Sequence, residues 1–324
     1  MNKLKINFTR KFIAIIALLS LISVNVSAAP QKVLRVGYQK FNSINILKGS
    51  GELEKALKDQ NTTVKWYEFA AGPQLLEALS TGAIDIGHAA DAPSVFAQAA
   101  GKSITYLAVE KPNPLGIGIV VNNNSAIKSV ADLKGKKIAT GRGWNAQYLL
   151  ALALKQAGLT YQDIKPAYVS SAADATAALE SGSVDAATLW DPFLAAAEKK
   201  LPVHVIRSGE GLSNNRTFYL STTDFVNNNP QTVKIFFSQL EKVSQWANNH
   251  PEEVAEKLAP QLGITPDVLL LATKRRNYEA GEITPPVIKE QQQVADTFQE
   301  LNLIPEKITV GDIVYPKSFV KNNP

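Results

Sequence analysis

One turn carries the strongest chemical signal in this sequence. In KKIATGRGWNAQYLLALALKQAGL, Lys136 to Leu159, an apolar run ends at Ile138-Ala139 and Gly141 and Gly143 bracket a turn. Leu149, Leu150, Ala153, Leu154 and Ala157 then recur at helical spacing, and Gly158 stops the helix. A helix that opens after such a turn aims unpaired backbone N–H groups at whatever lies in front of it, and its dipole favours negative charge there. The chemistry is anion binding, presented by Gly143, Trp144, Asn145 and Ala146. The alternative is a plain strand–turn–helix connection, because such turns often contain glycine. No Gly-Lys-Ser/Thr follows, and Ala146 stands where the third glycine of a dinucleotide fingerprint belongs.

Other chemistry is missing. The three histidines, His88, His204 and His250, have no metal-ligand spacing, and there is no cysteine. No GxSxG elbow and no paired carboxylates appear, so the sequence displays no enzyme's constellation and implies no metal or cofactor. His204 lies in an apolar strand and reads as packed core. His88 lies in His88-Ala89-Ala90-Asp91, read as a strand-to-helix loop, where ligands approach an open α/β sheet. Asp91 stands at an N-cap position with Pro93 in the first turn.

These residues need elements to hold them. Residues 1–28 read as a leader: Lys3, Lys5, Arg10 and Lys11 precede an apolar run from Phe12 to Leu21, too short to span a bilayer. Val26-Ser27-Ala28 places cleavage after Ala28. The whole chain carries 34 basic and 29 acidic side chains, and the leader takes four of the basic ones, leaving a mature net charge of +1. A nucleic-acid partner would need a clustered basic face and is not expected. Without cysteine the exported protein relies on its core and cannot be lipidated at an N-terminal cysteine, which favours the periplasm.

Val33–Tyr38 reads as a first strand and Ile44–Leu57 as one helix weakened by Gly49 and Gly51. Strands and helices then alternate to Ser221, with breaks at Pro112–Gly116 and near Thr217–Asp224, and the remainder is mostly helical. One internal echo stands out: LSTGAIDI at Leu79–Ile86 resembles LESGSVDA at Leu179–Ala186, and each leads to an aspartate before a helix, Asp91 or Asp191. Two such units fit two domains of one build.

Several longer stretches are more specific. VGYQK at Val36–Lys40, FAAGPQLLEALSTGAIDIGHAADAP at Phe69–Pro93, SVADLKGKKIA at Ser129–Ala139, LWDPF at Leu189–Phe193 and QQQVADTFQELNLIP at Gln291–Pro305 resemble the substrate-binding proteins of aliphatic-sulfonate ABC importers, within the sulfonate, taurine and nitrate group. The resemblance implies a two-lobed α/β periplasmic binding protein of type II, each lobe a mixed sheet flanked by helices, joined by two crossover segments. Lobe 1 would hold residues 29–112 and 222–324, and lobe 2 residues 113–221. It implies a monomer without catalytic activity that takes a sulfonate anion between its lobes and meets a membrane permease transiently.

On that footing Gln39, Asn42, His88, Ala89, Ala90 and Asp91 would face the ligand from lobe 1. Gly143, Trp144, Asn145 and Ala146 would face it from lobe 2, Trp144 and Trp190 would wall the organic tail, and Arg275 or Arg276 would reach in from the C-terminal helices. Relatives often carry serines and a histidine where Trp144–Gln147 stand, and small residues where His88 stands. Rival readings are a binding protein for taurine, nitrate or a sulfate ester, a pyrimidine-precursor synthase of related fold, and a regulator's effector domain. The leader and the lack of cysteine argue against the synthase, and no helix-turn-helix precedes the fold.

Overall fold

The structure, a computed structural model, describes residues 31–320, so the expected leader and its cleavage point lie outside the described residues. The chain opens with β1 (Lys32–Tyr38), α1 (Ser43–Ser50) and α2 (Glu52–Lys58). The single helix expected over Ile44–Leu57 is therefore two, because Gly51 turns left-handed at φ 67° and caps the first. Asn42 starts α1 with a capping box: its side chain accepts the Ile44 N–H while Asn45 reaches back to the Asn42 N–H. Then follow β2 (Thr62–Glu68), α3 (Gly72–Ser80), β3 (Ile86–Ala90), α4 (Asp91–Ala99) and β4 (Thr105–Glu110).

The chain crosses to β5 (Ile117–Asn122), β6 (Lys137–Thr140), α5 (Asn145–Gln156), β7 (Lys165–Tyr168), α6 (Ala172–Glu180), β8 (Ala186–Trp190), α7 (Phe193–Lys200) and β9 (Val203–Ser208). It returns through β10 (Thr217–Ser221) to α8 (Thr223–Asn228), α9 (Pro230–Asn249), α10 (Pro251–Leu262), α11 (Pro266–Arg275), β11 (Ala280–Gly281) and α12 (Pro285–Glu300).

Two mixed sheets result, ordered β11-β4-β10-β3-β1-β2 and β7-β6-β8-β5-β9. β10 is antiparallel to both β3 and β4. Thr217–Ser221 thus belongs to the first sheet, so the second-lobe boundary expected at 221 falls after a first-sheet strand; its apolar Phe218, Tyr219 and Leu220 are fully enclosed there. The same pairing corrects the expected loop at His88–Ala90. These residues are strand, matched to Tyr219, Phe218 and Thr217.

Each sheet is covered on both faces. Val36, Ile86 and Tyr219 pack with Phe236, Phe237 and Leu269 of α9 and α11, while Tyr106 and Phe218 pack with Leu75, Leu76 and Phe298 of α3 and α12. In the second sheet the period of two is visible in one strand. Ile117, Ile119 and Val121 meet Leu149, Leu150 and Leu154 of α5, and Val120 meets Leu179 and Leu194 of α6 and α7. His204 departs from its expected core position. It is partly exposed on β9 and shares a hydrogen bond with Asn123 at 3.0 Å.

Candidate functional site

The carboxyl ends of β1, β2, β3, β6 and β8 all open on one cleft between the sheets, the place where an open α/β sheet takes its ligand. The space between its walls, open solvent at its mouth included, is about 590 Å³. Four helices bring their N-cap residue to its wall: Asn42 of α1, Ala71 of α3, Ala90 of α4 and Trp144 of α5. Sequence reading named the last of these starts as an anion site. The other three add their dipoles to the same space.

The α5 start is tightly made. A Cβ on Gly141 would lie 1.9 Å from the Trp144 ring, so only glycine leaves room for it. Trp144 is buried and meets Trp190 edge-on at 4.8 Å, and Trp190 meets Phe193 at 6.0 Å. The Gly143 N–H is taken by Gln147 Oε1 at 2.8 Å, so it is not a ligand donor, and Gly143 packs against Phe96. The side chain of Ala146 is in the second sheet's core. The Asn145 amide donates to Asn215 Oδ1 at 2.7 Å, and Asn215 in turn donates to the Asn113 carbonyl at 2.8 Å. Arg142 is exposed and stacks over Tyr168 at 4.0 Å, away from the cleft.

From the first sheet, Gln39, Asn42, His88 and Ala90 reach the cleft. His88 Nε2 accepts the Gln39 N–H at 3.0 Å, so the ring proton belongs on Nδ1. Burial, helped by the Arg276 charge, pushes His88 down to about 3, and the ring is neutral at pH 7. Ala89 faces the core instead. Asp91 also turns away: its carboxylate accepts the Ala92 N–H at 2.7 Å and lines a separate cavity with Tyr148, Arg216 and Glu290. Burial pushes it up to about 7.

Of the two candidate arginines, Arg276 lines the cleft. It pairs with buried Glu110 and donates to Thr217 Oγ1 at 3.2 Å, while its Nε–H is buried without a partner. Glu110 is further held by the hydroxyls of Ser43 and Tyr219. Arg275 instead ties α11 to α7, at 2.6 Å from Glu198 and 3.5 Å from Asp191.

Sequence reading missed Lys40, Phe41, Ala71, Gly72, Asn113, Asp191, Asn215 and Thr217, all on the cleft wall. Phe41 and Asn215 hold φ of 63° and 46°, left-handed values that side chains adopt at a cost of ~1–3 kcal/mol and that gather at functional sites. Asn113 and Asn215 sit at the two crossovers, a topological signal for cleft residues that the sequence did contain.

Two mixed sheets, two crossovers and a cleft at their strand ends define a periplasmic binding protein fold. A family model described as NMT1/THI5 like matches residues 57–254. A relative from Escherichia coli (strain K12), named for aliphatic-sulfonate binding, is 37% identical over 306 residues, 94% of this chain and 95% of its own. The alkanesulfonate-binding protein SsuA from Xanthomonas axonopodis pv. citri, solved bound to MOPS, superposes with a TM-score of 0.83 at 36% identity, covering 89% of this chain and 99% of that one. The periplasmic aliphatic sulphonate binding protein SsuA from Escherichia coli follows at 0.81 and 35%, covering 91% and 96%. The chain belongs to the aliphatic-sulfonate-binding family of substrate-binding proteins.

Proposed function

We propose that this protein captures an aliphatic sulfonate in the cleft between its sheets and delivers it to the permease of an ABC importer. It works as a monomer in the periplasm, exported by a cleaved leader and not lipidated. Residues 33–112 with 217–320 form one lobe and 113–216 the other, and the lobes close on the ligand.

The observation that carries this reading is the Arg276 Nε–H, a buried charged donor without a partner, on a cleft wall that also holds four helix starts. A sulfonate is a tetrahedral monoanion that needs several donors and no counter-proton. Arg276, the neutral His88 Nδ1–H, the Gln39 amide and the first N–H groups of α3 and α5 supply them. Most of these donors are uncharged and the guanidinium is already balanced by Glu110, which suits a protein that must release its anion. The Trp144–Trp190 pair gives an apolar wall for an organic tail and favours a sulfonate over nitrate.

Calorimetric titration of the purified protein with methane- to hexanesulfonate, and with nitrate and sulfate, tests this. Micromolar or tighter sulfonate binding, with a smaller radius of gyration in solution scattering, is expected. Tighter binding of nitrate than of any sulfonate overturns it.

A further inference from the structure

Behind the cleft lies a second cavity, of about 230 Å³, walled by both lobes. Tyr148 of α5 and the Gly211–Asn214 loop line it from the second lobe, Asp91 of α4 and Glu290 of α12 from the first, and Arg216 stands where the chain crosses back. Asp91 is 4% exposed, and its carboxylate accepts the Ala92 N–H at 2.7 Å. The side-chain donors around it are bound elsewhere. The Arg216 guanidinium donates from Nε to Glu290 at 2.7 Å and from another nitrogen to the Glu110 carbonyl at 3.2 Å. The Gln291 amide donates to the main-chain carbonyl of Asp91 at 2.8 Å and to the Tyr106 hydroxyl at 3.1 Å, and the Ser94 hydroxyl donates to the Ala90 carbonyl at 2.9 Å. A buried carboxylate so placed has no cation of its own, and its charge is costly there.

Two carboxylates, Asp91 and Glu290, thus share one cation, and Glu290 holds it. Against burial, the bond from Arg216 keeps Glu290 below its ordinary range. Burial carries Asp91 the other way, up to about 7, against the backbone N–H groups of Ala92 and Arg216 and the Arg216 charge. Tyr148 and Tyr106, the other titratable groups packed near it, are raised by burial and stay neutral at any pH of interest. The second-lobe wall moves with its lobe. Phe96 of α4 packs on Gly143, and Tyr148 meets Phe298 of α12 at 5.8 Å, so the two lobes are in contact here. Parting them draws that wall away from Asp91 and admits water.

Resting on the sulfonate reading above, we propose that closure of the lobes on a sulfonate takes up a proton at Asp91, so that the protein holds its ligand more tightly at lower pH. Water in the opened cavity favours the carboxylate, and the closed cavity favours the acid. A proton that binds the closed form better shifts the equilibrium towards it, and the linkage is reciprocal. The carboxyl is raised in the closed form, so its help to closure is present below that raised value and is lost as pH climbs through 7. A sulfonate keeps its charge throughout this range, so the proton belongs to the protein.

Calorimetric titration of the purified protein with propane-1-sulfonate at pH 6.5 counts the protons when it is run in cacodylate and in imidazole, buffers that contain no sulfonate and differ in ionisation enthalpy. About half a proton or more should be taken up per ligand bound, and Kd should rise by about threefold to tenfold from pH 6 to pH 8. Asp91→Asn should remove at least half of the uptake and flatten the pH dependence, with Kd at pH 6 within about twofold of wild type. Asp191, pushed by burial up to about 6 on the cleft wall, is the other group that an arriving anion would protonate. Asp191→Asn is therefore run beside it and should keep most of the uptake. If Asp91→Asn does not fold, wild type and Asp191→Asn decide: uptake that persists in the latter supports Asp91, and uptake lost there overturns it. No uptake in wild type, proton release, or uptake that survives Asp91→Asn overturns the proposal while the sulfonate reading stands. A protein that binds no sulfonate at either pH overturns both.

Discussion

The two halves of the molecule are one construction used twice. In each, two parallel neighbours (β1 and β3, or β6 and β8) are flanked by an outer strand (β2 or β7) and an antiparallel one (β10 or β5). In each, an aspartate clasps a parallel strand, β1 or β6, with the same pair of bonds. Asp85 receives the Arg35 N–H at 2.7 Å and returns its own to the Arg35 carbonyl at 2.8 Å; Asp185 and Lys137 repeat both values. Gly82 and Gly182, at φ 73° and 72°, end the preceding helices alike. The chain completes the pattern in opposite order, however. The antiparallel strand of the first sheet is β10, arriving last, and that of the second is β5, arriving first.

The polar residues carried on this common frame differ. Asp91 is the first residue of α4 and folds back on its neighbour, facing a cavity behind the cleft. Asp191 lies two residues before α7, because Pro192 delays the helix, and there it lines the cleft. A repeat of structure is thus not a repeat of site. A two-residue shift in where a helix begins decides which space a carboxylate faces.

The largest expected effect separates the arginines that serve the two halves. Arg276→Ala leaves Glu110 buried without its cation and should cost about 3–5 kcal/mol, as well as most of the sulfonate affinity. Arg275→Ala leaves Asp191 its helix N–H and Glu198 partly in water, and should cost about 1–2 kcal/mol. Urea denaturation of both variants checks the order. Equal losses would mean that the two pairs are interchangeable.

The paired aspartates come next. Both carboxyls titrate above their ordinary value of 3.8, Asp91 at about 7 and Asp191 at about 6. The native state therefore holds these protons more tightly than the unfolded chain, and their contribution is most favourable below pH ~4 and lost as pH rises through 6 and 7. Asn cannot ionise. Asp91→Asn should stabilise the protein at pH 8 by up to about 4 kcal/mol and Asp191→Asn by up to about 3 kcal/mol, and at pH 4 both differences should vanish. Denaturation at the two pH values measures this; a variant less stable than wild type at pH 8 would show that its carboxylate is needed in the folded state.

The clasps are a gentler contrast. Asp85 is buried and also binds the Arg35 guanidinium, with Nε at 3.0 Å, whereas Asp185 is exposed. Asp85→Ala should cost about 1.5–3 kcal/mol and Asp185→Ala about 0.5–1.5 kcal/mol, read as shifts in urea midpoint. The reverse order would mean that the second sheet depends on its clasp more than the first.

Much of this frame was legible in the sequence because it is local. The glycine stops, the apolar periods and each unit of the LSTGAIDI/LESGSVDA echo act within a few residues, and the elements they announce are present, with the helix expected over Ile44–Leu57 broken in two at Gly51. What was lost is what depends on distant pairing. The strand at His88–Ala90 extends as far as it does because β10 lies beside it, and β10 comes some 130 residues later. The cleft was half legible. Gln39, Asn42, His88, Trp144, Asn145, Trp190 and Arg276 do meet there, yet Ala71 and Gly72 were not singled out and Asp191 was read only as an aspartate before a helix. Nothing in residue type told Asp91 from Asp191; only the helix register did.

The smallest expected effect lies at the rim, where the halves touch across the cleft mouth. Gln74 on α3 donates from Nε2 to the Ser170 carbonyl, just past β7, at 3.5 Å and in full contact with water. Such a bond is near the geometric limit and exchanges with solvent, so its net value is at most about 0.5 kcal/mol. It also joins residues of different sheets, so it forms only while the lobes are together, and its loss should appear in ligand release rather than in the stability of either half. Gln74→Ala should leave the melting temperature of the unliganded protein within about 1 °C and raise the sulfonate Kd no more than about twofold, through a faster off-rate. By contrast the Arg275–Glu198 bond, also between the halves but at 2.6 Å and partly buried, should influence both. Stopped-flow release and calorimetry on the two variants measure the difference. A tenfold loss of affinity in Gln74→Ala would mean that closure is latched at the mouth rather than by the buried wall, and the weight assigned to the two contacts would reverse.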